Sequence, residues 1–277
     1  MSNTQTARAE VLKALHQRSG IFVIPNPWDA GSARILAHLG FEALATTSAG
    51  LAFSLGKPDG HGVVTRDENL ANARVVVDAT SLPVSGDLEN GYGDDPDTCA
   101  GTIRQAAAAG LVGGSIEDAT GDPADPIYPF ELAVQRVKAA VKAARTLSFP
   151  FTLTARAENL IYGRPDLPDT IRRLVAFAEA GADVLFAPGL TTAEEISTVV
   201  RAVAPKPVNV LMGLSKGDLT LADLAALGVR RVSLGSSPAR AAYGSFLRAA
   251  EEVKEKGSFT FAKTAVPYAE FNKLFTS

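Results

Sequence analysis

Cysteine, tryptophan and histidine are scarce in this 277-residue chain, with one, one and three of them. The lone cysteine, Cys99, excludes an internal disulfide framework and fits a reducing compartment. No Ser-His-Asp or Cys-His arrangement is visible. His16 and His38 fall on helical stretches and are expected at the surface; His61, in PDGHG, lies in a loop from which it reaches a ligand or, as the plainer expectation, stays solvated. An excess of one charge sign is also missing. Net charge is -3 with both signs interspersed, which gives no footprint for nucleic acid and no basic stripe for a membrane. No window approaches the ~18 uninterrupted apolar residues of a membrane span. The N-terminal stretch MSNTQTARAEVLKALHQRSG lacks the apolar core of a signal peptide, so a cytoplasmic protein is expected.

What is present is an ordinary globular composition, 46% hydrophobic and 21% charged, long enough for a sizeable core. Eight short apolar runs follow one another, at 21–25, 43–47, 82–86, 113–116, 151–155, 184–187, 208–212 and 231–234. Each ends at a polar or glycine-rich turn and leads into a helical pattern. Gly110, Gly181 and Gly228 close helical runs where left-handed C-cap glycines belong, and Thr192 with Glu195 reads as a capping box. Eight strand-loop-helix units predict an α/β fold, a (β/α)8 TIM-type barrel in one domain spanning 1–277. A doubly wound sheet would usually carry G-x-G-x-x-G after its first strand, where this chain has NPWDAGS. Residues 237–277 exceed what a barrel needs. Their spaced aromatics Phe259, Phe261, Tyr268, Phe271 and Phe275 suit C-terminal helices packing on a neighbouring subunit, or on their own barrel.

A barrel builds its active site from the C-terminal ends of its strands. There the third strand delivers Asp87 and Glu89, the fourth Glu117 and Asp118, and the fifth Arg156 and Glu158. Carboxylates converging in one mouth raise each other's pKa unless a cation sits among them. Oxygen donors without cysteine or histidine point to Mg²⁺ or Mn²⁺ rather than zinc. The plainer alternative is that these acids cap helices or pair with Arg156. Arg156 offers a planar fork for a carboxylate or phosphoryl group, or serves as a partner for Glu117 or Glu158. The run TTSAG at 46–50 suits a small anion, or is a plain tight turn.

The stretches NPWDAGSARILAHLGFEALATTSAG, SLGKPDG, SGDLENGYG, GGSIED and TARAEN, in that order and spacing, resemble the isocitrate lyase/phosphoenolpyruvate mutase superfamily over nearly the whole chain. The resemblance implies Asp87 as the most direct Mg²⁺ ligand, with Asp59, Glu89 and Glu117 holding the metal largely through water. It implies Thr47, Ser48 and Ala49 on the substrate carboxylate, Arg156 on the substrate's other end, and Trp28 lining the pocket. Arg156, Glu117 and Asp59 become the catalytic candidates, and a homotetramer with exchanged C-terminal helices is expected.

One loop departs from the pattern. Isocitrate and methylisocitrate lyases carry a lysine-arginine-cysteine-glycine-histidine loop after the fourth strand; here that region reads EDATGDPADPIYPF, from Glu117 to Phe130. The expected activity is therefore a carbon–carbon lyase of the phosphoenolpyruvate mutase-like branch. Its substrate is a small 2-oxo or 2-hydroxy carboxylate, oxaloacetate-like, cleaved or decarboxylated through an enolate-like intermediate. The alternatives are a P–C bond enzyme acting on phosphonopyruvate and a 2-oxo acid binder with little turnover. Tyr92, Asp118, Thr120 and Tyr162 are the candidates for proton transfer.

Overall fold

The computed structural model describes residues 3–60, 62–213 and 218–276. The chain opens with helix α1 (Asn3–Gln17) and then alternates strands and helices. These are β1 (Phe22–Ile24), α2 (Ala30–His38), β2 (Leu44–Ala45), α3 (Ser48–Ser54), α4 (Arg66–Asp78), β3 (Val84–Asp87) and α5 (Pro96–Ala108). There follow β4 (Gly113–Glu117), α6 (Phe130–Arg145), β5 (Thr152–Arg156), α7 (Leu167–Glu179), β6 (Val184–Phe186) and α8 (Ala193–Val203). The chain finishes with β7 (Val208–Leu211), α9 (Leu221–Ala226), β8 (Arg231–Ser233), α10 (Ser237–Lys256), a 3₁₀ turn (Thr260–Lys263) and α11 (Tyr268–Phe275).

All eight strands are parallel and neighbour one another in sequence order, with β8 returning to β1. Between β1 and β2 the barrel is bridged by the Ala45 N–H donating to the Pro25 carbonyl. Buried Asn26 reinforces that seam. Its amide donates to the Thr46 carbonyl and accepts from the N–H groups of Leu234 and Gly235, joining the ends of β1, β2 and β8. The expected (β/α)8 barrel with additional C-terminal helices is the observed architecture.

Local signals account for the helices. Side chains of Asp29, Thr65, Asp95, Asp166, Thr192 and Thr220 accept N–H groups of the first turns of α2, α4, α5, α7, α8 and α9. Gly110, Gly181 and Gly228 all take positive φ just beyond α5, α7 and α9. Within TTSAG, Thr47 caps α3, its hydroxyl accepting from the Gly50 N–H. TTSAG is thus a helix start, not a tight turn.

The apolar faces of α1, α5 and α6 meet one half of the barrel and those of α7 and α8 the other. Helix α1 closes the floor: Gln5 donates to the Ala107 and Leu111 carbonyls and Arg8 to Thr80. Beyond β8, α11 leans on α2, with Arg34 donating to the Phe275 carbonyl. The tail nevertheless leaves Phe246 72%, Phe259 65% and Tyr268 86% exposed. Among the described residues no helix is long and apolar enough to cross a membrane. Cys99 is buried and free, as expected for a small core residue.

The surface placement expected of His16 is corrected. Its ring packs edge-on against Phe22 with centroids 5.0 Å apart, Nδ1 lies 2.8 Å from the Leu12 carbonyl, and Nε2 is buried without a partner. The reason is the floor-closing position of α1. Burial, then the charge of Arg231, lowers its pKa from 6.5 to about 3. The folded pKa lies below the unfolded one, so this contribution is complete above pH 6.5 and is lost as pH falls toward 3. Between pH 7 and pH 5 the loss is about 2 kcal/mol. Urea unfolding at the two pH values should show His16→Phe flattening the dependence by that amount; parallel curves would mean that His16 is protonated freely in the fold.

Candidate active site

Strands β3, β4 and β5 end side by side, and their register sets Asp87 beside Ser115 and Glu117 beside Arg156. Alternate residues share a strand face, so Ser85 and Asp87 point into the barrel together. Arg156 is the hub. Its Nη1 lies 2.9 Å from Asp87 Oδ1, its Nη2 3.1 Å from Glu117 Oε2 and its Nε 2.7 Å from Glu158 Oε1. The guanidinium carbon stands 5.1 Å from the centre of the Phe186 ring. Burial alone would lower its pKa; the charges of Glu158, Glu117 and Asp87 overcome that and hold it well above the ordinary value. Arg156 is therefore a permanent cation at the mouth.

Asp87 is fixed from three further sides. Its Oδ2 accepts the Ser48 N–H at the start of α3, its own N–H donates to Thr46 Oγ1 at 2.8 Å, and Ser115 Oγ lies 3.5 Å from Oδ1. The remaining acids carry charge that Arg156 does not cancel. Burial, then Asp87 and Asp59, pushes Glu89 up to about 7, while the Tyr92 hydroxyl 3.4 Å away pulls the other way. At the rim, partial burial and then Asp87 raise Asp59. Burial raises Glu117 and Glu158, with Arg156 opposing it in both. Among the described residues, no three histidine, cysteine or acidic side chains converge into a ready-made metal cage. The physical reason is the guanidinium itself, which takes one oxygen of Asp87 and one of Glu117. Oxygen donors that raise each other's pKa still fit a hard cation better than any other group.

An inner cavity of about 190 Å³ lies against Asp59, Asp87 and Arg156 and the start of α3 at Thr47, Ser48 and Ala49. An outer cavity of about 820 Å³ is lined by Glu89, Glu117, Tyr92, Tyr162 and Arg66. The site residues expected from sequence are thus brought together, in two layers. Trp28 is placed otherwise. It lies outside the lining of both cavities, with its ring 6.4 Å from Tyr243 of α10 and its Cβ where a side chain on Gly50 would collide. It buttresses α3 from behind. His61 lies outside the described residues.

Of the proton-transfer candidates, Asp118 is committed to structure. It accepts from the Glu158 N–H at 2.8 Å and pairs with Arg173 at 3.0 Å, and burial pushes it up to about 6. Thr120 bonds within its own loop, donating to the Asp125 carbonyl at 2.6 Å. That loop is a closed hairpin, with Ala119 bridging Ile127 and the Thr120 N–H on the Pro126 carbonyl. Tyr92 and Tyr162 remain. Burial, with Glu89 beside one and Glu117 beside the other, raises both phenols, so each keeps its proton.

The phosphoenolpyruvate phosphomutase family model matches residues 12–254 of the chain. The chain belongs to this family. A Mycobacterium tuberculosis relative of uncharacterised function is 36% identical over 257 residues, 92% of either chain. A 2-methylisocitrate lyase of Halalkalibacterium halodurans is 28% identical, covering 92% of this chain and 85% of the relative. Among solved structures, a Burkholderia cenocepacia J2315 protein assigned to the lyase/mutase class, without a stated substrate, is 60% identical with a TM-score of 0.96, covering 100% of this chain and 98% of that one. The 2,3-dimethylmalate lyase, a member of the PEP mutase/isocitrate lyase superfamily, is 27% identical with a TM-score of 0.85, covering 99% and 95%. Oxaloacetate acetylhydrolase with its product oxalate is 25% identical with a TM-score of 0.87, covering 97% and 94%.

For this family member, several site-building residues escaped the sequence reading. Arg231 lies in the barrel interior on Asn209 and Thr154, 2.8 and 3.1 Å away, and burial, then Arg156, lowers it to about 9. Arg136, 1% exposed, donates to the carbonyls of Asn90, Gly93 and Asp94 and stacks on Tyr128, clamping the turn after β3. Arg66 lines the outer cavity with its Nε buried and unpartnered. The strongest available signal was an arginine inside an otherwise apolar run, as in VRRVSL at 229–234.

Two glycines seat the acids. Gly86 and Gly114 are register partners, and a Cβ at either would come within 3.0 Å of Leu88, the buried residue between Asp87 and Glu89. Gly114→Val should lower stability by about 1–3 kcal/mol through overpacking, read from urea unfolding. Wild-type stability in that variant would show that Leu88 is not wedged there.

Proposed function

We propose that the protein is a Mg²⁺-dependent lyase for a small 2-oxo or 2-hydroxy carboxylate, breaking a C–C bond or decarboxylating it through an enolate-like intermediate. The observation that carries the reading is three carboxylates, Asp87, Glu117 and Glu158, paired to one guanidinium beside a small cavity, with Asp59 and Glu89 close enough for Asp87 to raise both. The named lyases and the oxalate-bound hydrolase among its structural neighbours support an oxaloacetate-like substrate.

Asp87 would hold Mg²⁺ most directly, and Asp59, Glu89 and Glu117 through water; Mn²⁺ suits the same donors. When bound, the metal supplies Lewis-acid stabilisation of a developing oxyanion. The chain does the rest. The start of α3 would meet the substrate carboxylate through the Thr47 and Ala49 backbone N–H groups, the Ser48 N–H being held by Asp87 Oδ2. Arg156 orients the other end with a fork already fixed by its acids. The inner cavity, on the order of six water volumes at ~30 Å³ each, admits a short diacid and excludes bulk. Tyr92 and Tyr162 hold protons above the site and deliver one to the leaving carbanion. The same reading includes a homotetramer in which α10 and α11 exchange onto a neighbour and cover the exposed aromatics; sedimentation of the full chain as a monomer would sink it.

Incubation with Mg²⁺ and oxaloacetate, substituted malates, methylisocitrate or phosphonopyruvate, followed by NMR, should show C–C cleavage or decarboxylation that EDTA abolishes. Asp87→Ala should abolish Mg²⁺-dependent ligand binding. Phosphate release from phosphonopyruvate would move the assignment to P–C chemistry. Saturable 2-oxo acid binding without turnover would make the protein a binder.

A further inference from the structure

At the opposite end of the barrel lies a third cavity, of about 840 Å³, which the proposed reaction does not use. It sits under β5–β8, among the residues that lead into those strands, and the end of α1 forms one wall. Thr152 lines it at the first position of β5, and Arg156 stands in the mouth at the last. Four strand steps, about 13 Å, separate the two. Its volume is in the range of small-ligand sites, roughly 300–1,000 Å³.

The lining has two parts. Leu147, Phe149, Phe151, Val200, Pro205 and Pro207 supply apolar surface. Lys13, Arg145, Lys206 and Arg230 supply positive charge against one acid, Asp183. That acid is taken: Arg145 pairs with it at 2.6 Å. Lys206 donates to the Ala182 carbonyl at 2.7 Å, and Arg230 through Nη1 to the Arg18 and Gly20 carbonyls. Among the described residues neither Lys206 nor Arg230 meets a carboxylate. Two half-buried cations, held in place by backbone and lacking a counter-charge, stand beside an apolar wall. The floor of a barrel ordinarily serves stability, and stability does not call for uncompensated cations there.

We propose that this floor cavity binds a small amphipathic anion, its carboxylate or phosphate head on Lys206 and Arg230 and its apolar body against Leu147, Phe149 and Pro207. Charge attracts the head, and removal of apolar surface from water holds the body.

Calorimetric titration of the full chain with 2-naphthoate, 1-naphthyl phosphate and neutral 2-naphthalenemethanol tests it. Saturable one-to-one binding is expected for one or both anions, and the stronger of them identifies the head group; the alcohol should bind at least tenfold more weakly. Lys206→Glu should weaken anion binding at least tenfold, and Val200→Trp should remove it by filling the space. Both variants leave the mouth residues untouched, so binding at Arg156 would persist in them. Equal anion affinity in wild type and Lys206→Glu, equal affinity for the alcohol, or no saturable binding overturns the proposal. Should Val200→Trp fail to fold, the Lys206→Glu comparison decides alone.

Discussion

The pairing of Arg156 with Asp87, Glu117 and Glu158 is the interaction on which the rest of the site depends. It ties the ends of β3 and β4 to that of β5 and converts three repelling carboxylates into a rigid rim. An arginine suits this place because its fork offers three directions at once, and its charge survives burial. Lysine offers one point charge and would leave two of the acids uncompensated. The pairing is also incomplete: Asp59 and Glu89 form no ion pair with the guanidinium, and burial and then Asp87 raise both despite its opposing charge. The mouth is thus both preorganised and electrostatically unfinished, a combination that attracts a further cation.

Holding acids so close requires support from below. Leu88 folds over Gly86 and Gly114, anchoring the backbone between Asp87 and Glu89. Beyond it, Glu89 and Tyr92 both take positive φ, at 47° and 64°. Left-handed backbone at non-glycine residues is unfavourable and persists only where surroundings over-determine it. Arg136 is that surrounding: its three carbonyl contacts span the turn from Asn90 to Asp94, while the Asn90 side chain accepts from the Tyr92 N–H. The result aims Tyr92 back at Glu89 rather than into solvent.

Much of this was legible in the sequence. The eight-fold rhythm, the capping residues and the acids at strand ends all rest on local rules of period and turn chemistry, and each appears where those rules place it. What escaped depended on tertiary context. TTSAG lacks an obvious amphipathic run after it, so α3 is visible only once Thr47 is seen capping a helix packed on Trp28. Whether an aromatic such as Trp28 lines a cavity or backs its wall depends on side-chain direction at a loop. Arg231 has a local signal in its apolar run, but Arg136 has none; the partners of both are carbonyls, an amide and a hydroxyl supplied by other elements. His16 went astray for the same reason, since the floor that buries it is assembled from both ends of the chain.

The hairpin after Glu117 narrows how the chemistry can proceed. Ala119 is bridged to Ile127 and Thr120 bonded across to Asp125 and Pro126, while the Thr120 carbonyl accepts from the Asn90 side chain, tying the loop to the turn after β3. Its two acids are placed differently: Asp125 meets Arg164, while Asp122 lines the outer cavity and accepts from the Ala124 N–H. Such a loop gives the outer cavity its shape and one carboxylate. Two phenols kept protonated by burial and neighbouring carboxylates face that space, Tyr92 from the strained turn and Tyr162 from the segment after β5. The carboxylates crowded around Arg156 are the same groups that raise both phenols, so the strained charge of the mouth and the firmly held protons of Tyr92 and Tyr162 are two consequences of one electrostatic arrangement.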